Sequence, residues 1–79
     1  MSDLTERLVD LLSRQVGVDE AGLRSEATFD ELELDSLVLI EFSLILKKEF
    51  GVVLEDGELT PDLTVQRTAK LLEAKGVMV

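Results

Sequence analysis

The side chains best placed to do chemistry surround Ser36, where Asp35-Ser36-Leu37 joins an acidic stretch to the most hydrophobic run of the chain. Glu26, Asp30, Glu31, Glu33 and Asp35 fall in the ten residues that end at Asp35, with no Lys or Arg among them. Such a field steers basic partners toward the serine, although a charged run also serves simply to keep a loop solvated. An Asp-Ser pair at a helix start is explained by capping alone, since both residues are favoured there and either contributes about 1 kcal/mol. The chain has no His and no Cys. It therefore lacks an imidazole base, a thiolate nucleophile, a disulfide and a conventional zinc site, and self-contained catalysis is not expected. Calcium binding fails on register: an EF-hand loop with Gly57 at its sixth position places Val52 first and Leu54 third, and neither supplies a side-chain oxygen.

The elements that must position Ser36 follow from apolar spacing. Ser2 or Asp3 caps a first helix with Leu4, Leu8, Leu11, Leu12 and Val16 on one face, and Gly17 ends it in a left-handed cap. Residues 17–35 show no sustained period. Val18, Leu23, Phe29, Leu32 and Leu34 nevertheless punctuate them, which predicts a connection pinned to the core. A second helix starts at Asp35-Ser36, runs to Phe50 and is stopped by Gly51. Val52-Val53-Leu54 is β-branched but has no partner strand, so it reads as an extended loop. Asp56 to Thr60 predicts one helical turn before Pro61. Thr64 caps a last helix with Val65, Thr68, Ala69, Leu71 and Leu72 inward, closed by Gly76. The expected fold is all-α, a small antiparallel bundle of three main helices plus one short helix.

The second helix carries more apolar surface than one face needs. Leu39, Phe42, Leu46 and Phe50 form one stripe, expected to face the core, while Leu37, Ile40 and Leu44 form another beside the serine. Two readings of the second stripe stand: it docks an outside partner, or the helix is central and buried nearly all round. Val38 and Leu39 add apolar area in a third direction, part of which must lie under the 17–35 connection.

Composition bounds the rest. With 79 residues, the chain fits a single domain over 1–79 that buries roughly 60% of its unfolded surface, leaving no room for a deep enclosed active site. Its 8 Lys+Arg against 17 Asp+Glu give a net charge of −9, which excludes a phosphate-backbone binder. Trp and Tyr are absent and the three Phe are scattered, so nothing offers a platform for nucleobases. The acidic opening residues lack the apolar core of a signal peptide, which points to the cytoplasm. Leu37 to Leu46, the most apolar window, contains Glu41 and Ser43 and is about half the length a membrane span requires.

With these residues in place, the chain resembles the acyl carrier proteins. Asp35-Ser36-Leu37 opening an amphipathic helix matches their attachment motif. Val18, Phe29 and Leu32 before the serine, Glu41 within the helix, Glu49-Phe50-Gly51 at its end and Thr64-Val65 opening the last helix also fit the family pattern. The resemblance implies that Ser36 receives a 4′-phosphopantetheine arm from coenzyme A through a separate phosphopantetheinyl transferase. Asp35 helps position that enzyme's metal ion and Leu37 completes the motif. The arm's thiol supplies what a chain without Cys lacks, so the expected function is a non-enzymatic carrier of acyl thioesters.

Departures from the pattern narrow the expectation. Glu33 stands where the family usually has Gly, so the turn into the helix must manage without glycine's freedom. Lys47 and Lys48 stand where bacterial fatty-acid carriers typically show acids, and Val38 and Leu39 are apolar where those carriers tend to be polar. These differences point to polyketide or other secondary metabolism. The expected partner surface is Leu37, Ile40, Glu41, Leu44, Lys47 and Lys48, presented by a monomer to acyl-loading, acyltransferase or ketosynthase-type enzymes. Two alternatives remain at this level: an aminoacyl or peptidyl carrier, disfavoured by Asp35 because that group more often has Gly before the serine, and an unmodified acidic helical adaptor.

Overall fold

Leucines at four-residue intervals build the first helix, α1 (Asp3–Leu11), which buries Leu4, Leu8, Val9 and Leu11. The structure, a computed structural model, describes residues 3–55 and 57–77. Ser2, one of the two cap candidates, and Asp56 lie outside the described residues. Asp3 lies in the first described turn of the helix rather than outside it as a flanking cap, and its carboxylate favours the positive end of the helix dipole. The helix does not run unchanged to Val16 as the spacing predicts. Over Leu12–Val16 it widens to a π-turn, in which the Gly17 N–H donates to the Leu12 carbonyl at 3.1 Å. Gly17 then reverses the chain at φ 84°, a left-handed conformation that costs glycine nothing.

The connection that follows contains the short helix of the fold, α2 (Glu20–Arg24), capped by the Asp19 carboxylate on the Ala21 N–H. Its place corrects the expectation of a helical turn at 56–60. There the described residues form non-helical turns, because Glu55 and Glu58 satisfy each other: the Glu58 N–H donates to the Glu55 carbonyl, and the Glu55 N–H to the Glu58 carboxylate. After α2, Thr28 and Glu31 form a reciprocal capping box on a tight turn. The two N–H/O–H donors of Thr28 hold the Glu31 carboxyl below the usual glutamate range. Glu33 follows with φ 61°. A left-handed conformation costs a side-chain-bearing residue about 1–2 kcal/mol, so the missing glycine is felt here.

Helix α3 (Ser36–Phe50) and helix α4 (Val65–Ala74) complete an all-helical architecture with no strand among the described residues. Val52–Leu54 forms a loop and no strand, as expected. Asp35 caps α3 and Thr64 caps α4, each accepting an N–H three residues on. The end of α4 is a Schellman turn: the N–H of Val77 reaches the Leu72 carbonyl, that of Gly76 reaches Glu73, and Gly76 sits at φ 94°.

The core joins Leu8, Leu12, Leu23, Phe29, Phe42, Leu46, Val65 and Leu72, all fully buried. Phe29 and Phe42 meet edge to face, with ring centroids 6.1 Å apart. Backbone bonds fix the connection on both sides of Phe29. Its N–H donates to the Leu63 carbonyl, Asp30 donates to Pro61, and Leu34 donates back to Phe29, all between 2.8 and 2.9 Å. The long connection is thus pinned as predicted, with Leu23, Phe29 and Leu34 buried and Val18 and Leu32 packed at the margin.

Phe50 modifies the expected inner stripe. Leu39, Phe42 and Leu46 are buried, but Phe50 is half-buried at the rim, with the Arg7 guanidinium 5.7 Å above its ring. The two phenylalanines therefore separate in a stability test. Phe42→Ala is expected to lose about 3–5 kcal/mol, a large share of the total for a domain of this size, and Phe50→Ala well under half of that. Thermal unfolding followed by circular dichroism reads the difference, and equal losses contradict this account of the core.

Candidate functional site

Ser36 owes its position to Asp35. With φ −80° and ψ 178° Asp35 is extended, its Oδ1 accepts the Val38 N–H at 3.0 Å, and its carbonyl accepts the Leu39 N–H at 3.1 Å. Ser36 is consequently the first helical residue, exposed, at the end where the first N–H groups of a helix have no intrahelical partner. Its hydroxyl differs from those of the other described serines. Ser13, Ser25 and Ser43 each donate to the carbonyl three residues back, at 3.0, 2.7 and 2.7 Å. Among the described serines Ser36 alone has a hydroxyl that donates no hydrogen bond. Position explains this: Asp35 is extended and Glu33, three residues back, is left-handed, so no helical carbonyl stands three residues before Ser36.

A groove of about 150 Å³ opens beside the serine. Ser36, Leu39, Ile40 and Ser43 form its α3 wall, and Leu54, Gly57, Leu59 and Pro61 contribute the facing loop. That loop is tied down at Glu58. Its carboxylate accepts the Glu55 N–H at 2.8 Å and pairs with the Lys75 ammonium at 2.9 Å, and these bonds hold the carboxyl below the ordinary glutamate value. The groove was not legible in the sequence, because the loop wall has no period and its residues read only as turn formers.

The structure decides between the two readings of the second α3 stripe. Leu37, Ile40 and Leu44 are 63%, 57% and 62% exposed, so full burial of α3 is ruled out. Glu41, Lys47 and Lys48 are exposed on the same side, while Val38 packs half-buried against the core. Val53, 61% exposed in the loop after α3, is a further apolar side chain in solvent. Asp30, Glu31, Glu33 and Asp35 are all exposed before the serine. Among the described residues no group of acids is gathered closely enough to hold a metal ion, and no helix is long and apolar enough to cross a membrane.

Ser36 thus combines an exposed hydroxyl that donates no hydrogen bond with a capped helix start and an adjoining groove of mixed polar and apolar lining. Comparison with known proteins supplies the family. Residues 6–72 match the family described as phosphopantetheine attachment site. The chain is also 35% identical over 74 residues to the acyl carrier protein of Petrotoga mobilis, covering 92% of this chain and 87% of that one. No solved structure matches it. The chain belongs to the acyl carrier protein family, whose members are non-catalytic, bear a covalent 4′-phosphopantetheine and work with phosphopantetheinyl transferases and acyl-handling enzymes.

The cap makes its own prediction. Asp35→Ala removes the acceptor of the Val38 N–H and is expected to cost about 1 kcal/mol, a fall of roughly 4–8 °C in melting temperature, whereas Asp35→Asn keeps most of the stability. Differential scanning calorimetry distinguishes them. An Ala variant as stable as the wild type removes Asp35 from the cap.

Proposed function

We propose that Ser36 is the attachment residue and that the chain is a carrier domain presenting acyl thioesters to enzymes of polyketide or related secondary metabolism. The observation that carries the site is the Ser36 hydroxyl, exposed and free of the local hydrogen bond that occupies Ser13, Ser25 and Ser43. Asp35 and Leu37 complete the motif, Asp35 by fixing the helix start and Leu37 by its exposure beside the hydroxyl.

The residues present fit the group that the family carries. A phosphodiester on Ser36 Oγ sits at a helix N-terminus, where free N–H groups and the dipole favour an anion by roughly 0.3–1 kcal/mol. The arm supplies a thiol, the one functional group for thioester chemistry that a chain without Cys lacks. Ser36 would provide the nucleophilic oxygen during attachment, its new phosphoester bond forming as the pyrophosphate bond of coenzyme A breaks and adenosine 3′,5′-bisphosphate leaves. The serine proton must leave to a base on the transferase, because the chain has no His and the neighbouring Asp35 Oδ1 is engaged by Val38. Once attached, cargo near the serine can lie along Leu39, Ile40, Leu54 and Leu59 in the adjoining groove.

The specialised pathway is supported by Lys47 and Lys48 at the exposed end of α3 and by the apolar Val38, which together differ from the pattern of fatty-acid carriers. A cytoplasmic monomer suits this role, since its docking face must stay open.

Incubation with coenzyme A and a promiscuous phosphopantetheinyl transferase is expected to add one phosphopantetheine to the wild type by intact mass. Ser36→Ala is expected to gain nothing. Modification of the variant, or mapping of the group to Ser2, Ser13, Ser25 or Ser43, overturns the assignment.

A further inference from the structure

The α3 wall of the groove holds one side chain that purely apolar contact does not call for. Between Leu37 and Leu46, the most hydrophobic stretch of the chain, only Glu41 and Ser43 are polar. Glu41 is exposed, whereas Ser43 is half-buried and lines the groove with Leu39 and Ile40. Serine in a helix interior is a weaker helix former than alanine, and sheltering its hydroxyl adds a desolvation cost. Ser43 offsets part of that cost by donating to the Ile40 carbonyl at 2.7 Å. The donation commits its one proton and leaves its oxygen as an acceptor.

The rest of the lining has the same polarity. Across from α3 stand Leu54, Glu55, Gly57, Leu59 and Pro61, among which the Glu55 carboxylate accepts hydrogen bonds and Pro61 has no N–H. Ser36 gives up its proton when its oxygen is esterified. In the modified protein no lining side chain therefore offers an uncommitted N–H or O–H, while Ser43 and Glu55 offer oxygens that accept one. The space is also small. At about 150 Å³ it matches cavities that take a benzene-sized guest of about six heavy atoms, which excludes a long saturated chain.

Resting on the carrier reading above, we propose that this groove selects a short acyl group bearing a hydroxyl, whose O–H donates to Ser43 Oγ, over the saturated and oxo groups of the same length. An oxo group brings a carbonyl that meets no side-chain donor there, and a polar group sheltered without a partner is penalised. A saturated group gives Ser43 Oγ nothing to accept. The amides of the arm are disfavoured for the same reason as the oxo group, since each brings a carbonyl beside its N–H. The thioester carbonyl is common to all three acyl groups and does not discriminate between them.

The test loads the full-length chain with butanoyl, 3-oxobutanoyl or 3-hydroxybutanoyl pantetheine and measures thioester cleavage by hydroxylamine. Dividing each rate into that of the same acyl group on free pantetheine cancels intrinsic reactivity and gives the protection conferred by the groove. Intact mass is read first, so failed attachment, which overturns the carrier reading and this proposal with it, is separated from lost selectivity. The 3-hydroxybutanoyl group is expected to be protected about fivefold more than either of the others, as one net hydrogen bond supplies. Ser43→Ala, with helicity checked by circular dichroism, is expected to bring that ratio to about one, and Ser43→Thr, which keeps an acceptor oxygen, to retain most of it. The methyl signals of Leu39, Ile40, Leu54 and Leu59 are expected to move on loading, beyond any change made by the bare arm. Equal protection of the three groups, or a preference that survives Ser43→Ala, overturns the proposal. So do methyl shifts already complete with the bare arm, which assign the groove to the arm itself.

Discussion

Phe29 and Phe42 belong to different parts of the chain, the connection and α3, and their edge-to-face contact is fully buried. Beyond the area they bury, such pairs contribute about 0.5–1.5 kcal/mol. Their larger effect is positional. Phe29 is also held by the Leu63 carbonyl, and Leu34 bonds back to Phe29, so the connection is fixed at both ends of a six-residue arc. Asp35 is the next residue, and it arrives at α3 already extended and able to cap. The left-handed Glu33 within that arc is tolerated because the surroundings leave the chain no other route. Remove the aromatic clamp and the start of α3, with Ser36 on it, loses its reference point.

The second constraint is size. A chain of 79 residues cannot cover both apolar faces of α3. The fold resolves this by turning Leu39, Phe42 and Leu46 inward and leaving Leu37, Ile40 and Leu44 in solvent. In a protein with its own active site such exposure is a liability. In a carrier whose chemistry is done by others the face can stay open, and the serine sits at its edge. The groove beside Ser36 has the same origin, since the loop from Leu54 to Pro61 covers α3 only partly.

Helices α3 and α4 were legible because each combines a capping residue, a 3.6-residue apolar period and a glycine stop, three independent signals that agree. The π-turn at Leu12–Val16 was not, because the side-chain spacing Leu8, Leu12, Val16 is unchanged when the hydrogen bonds widen by one residue. Helix α2 escaped notice for want of length. Five residues with Leu23 as the single buried side chain generate no period, although Asp19 before them is a good cap. Ser36 was legible as a motif, but what distinguishes it physically, an unbonded hydroxyl among serines that are bonded, needed the backbone around each one. The two faces of α3 were visible as stripes. Which of them stays wet depended on Phe29, whose contacts reach Leu63 from far along the chain.

The central claim is that a fixed helix start presents the Ser36 hydroxyl for modification without disturbing the core. Phosphorus–proton correlation spectroscopy of the modified, isotope-labelled protein tests it most directly. The phosphodiester is expected to couple to the β-protons of Ser36, with amide shift changes confined to the start of α3 and the loop from Leu54 to Pro61, and with the Phe29 and Phe42 ring signals unmoved. Coupling to the β-protons of another seryl residue, or shifts spreading through the aromatic clamp, contradicts it.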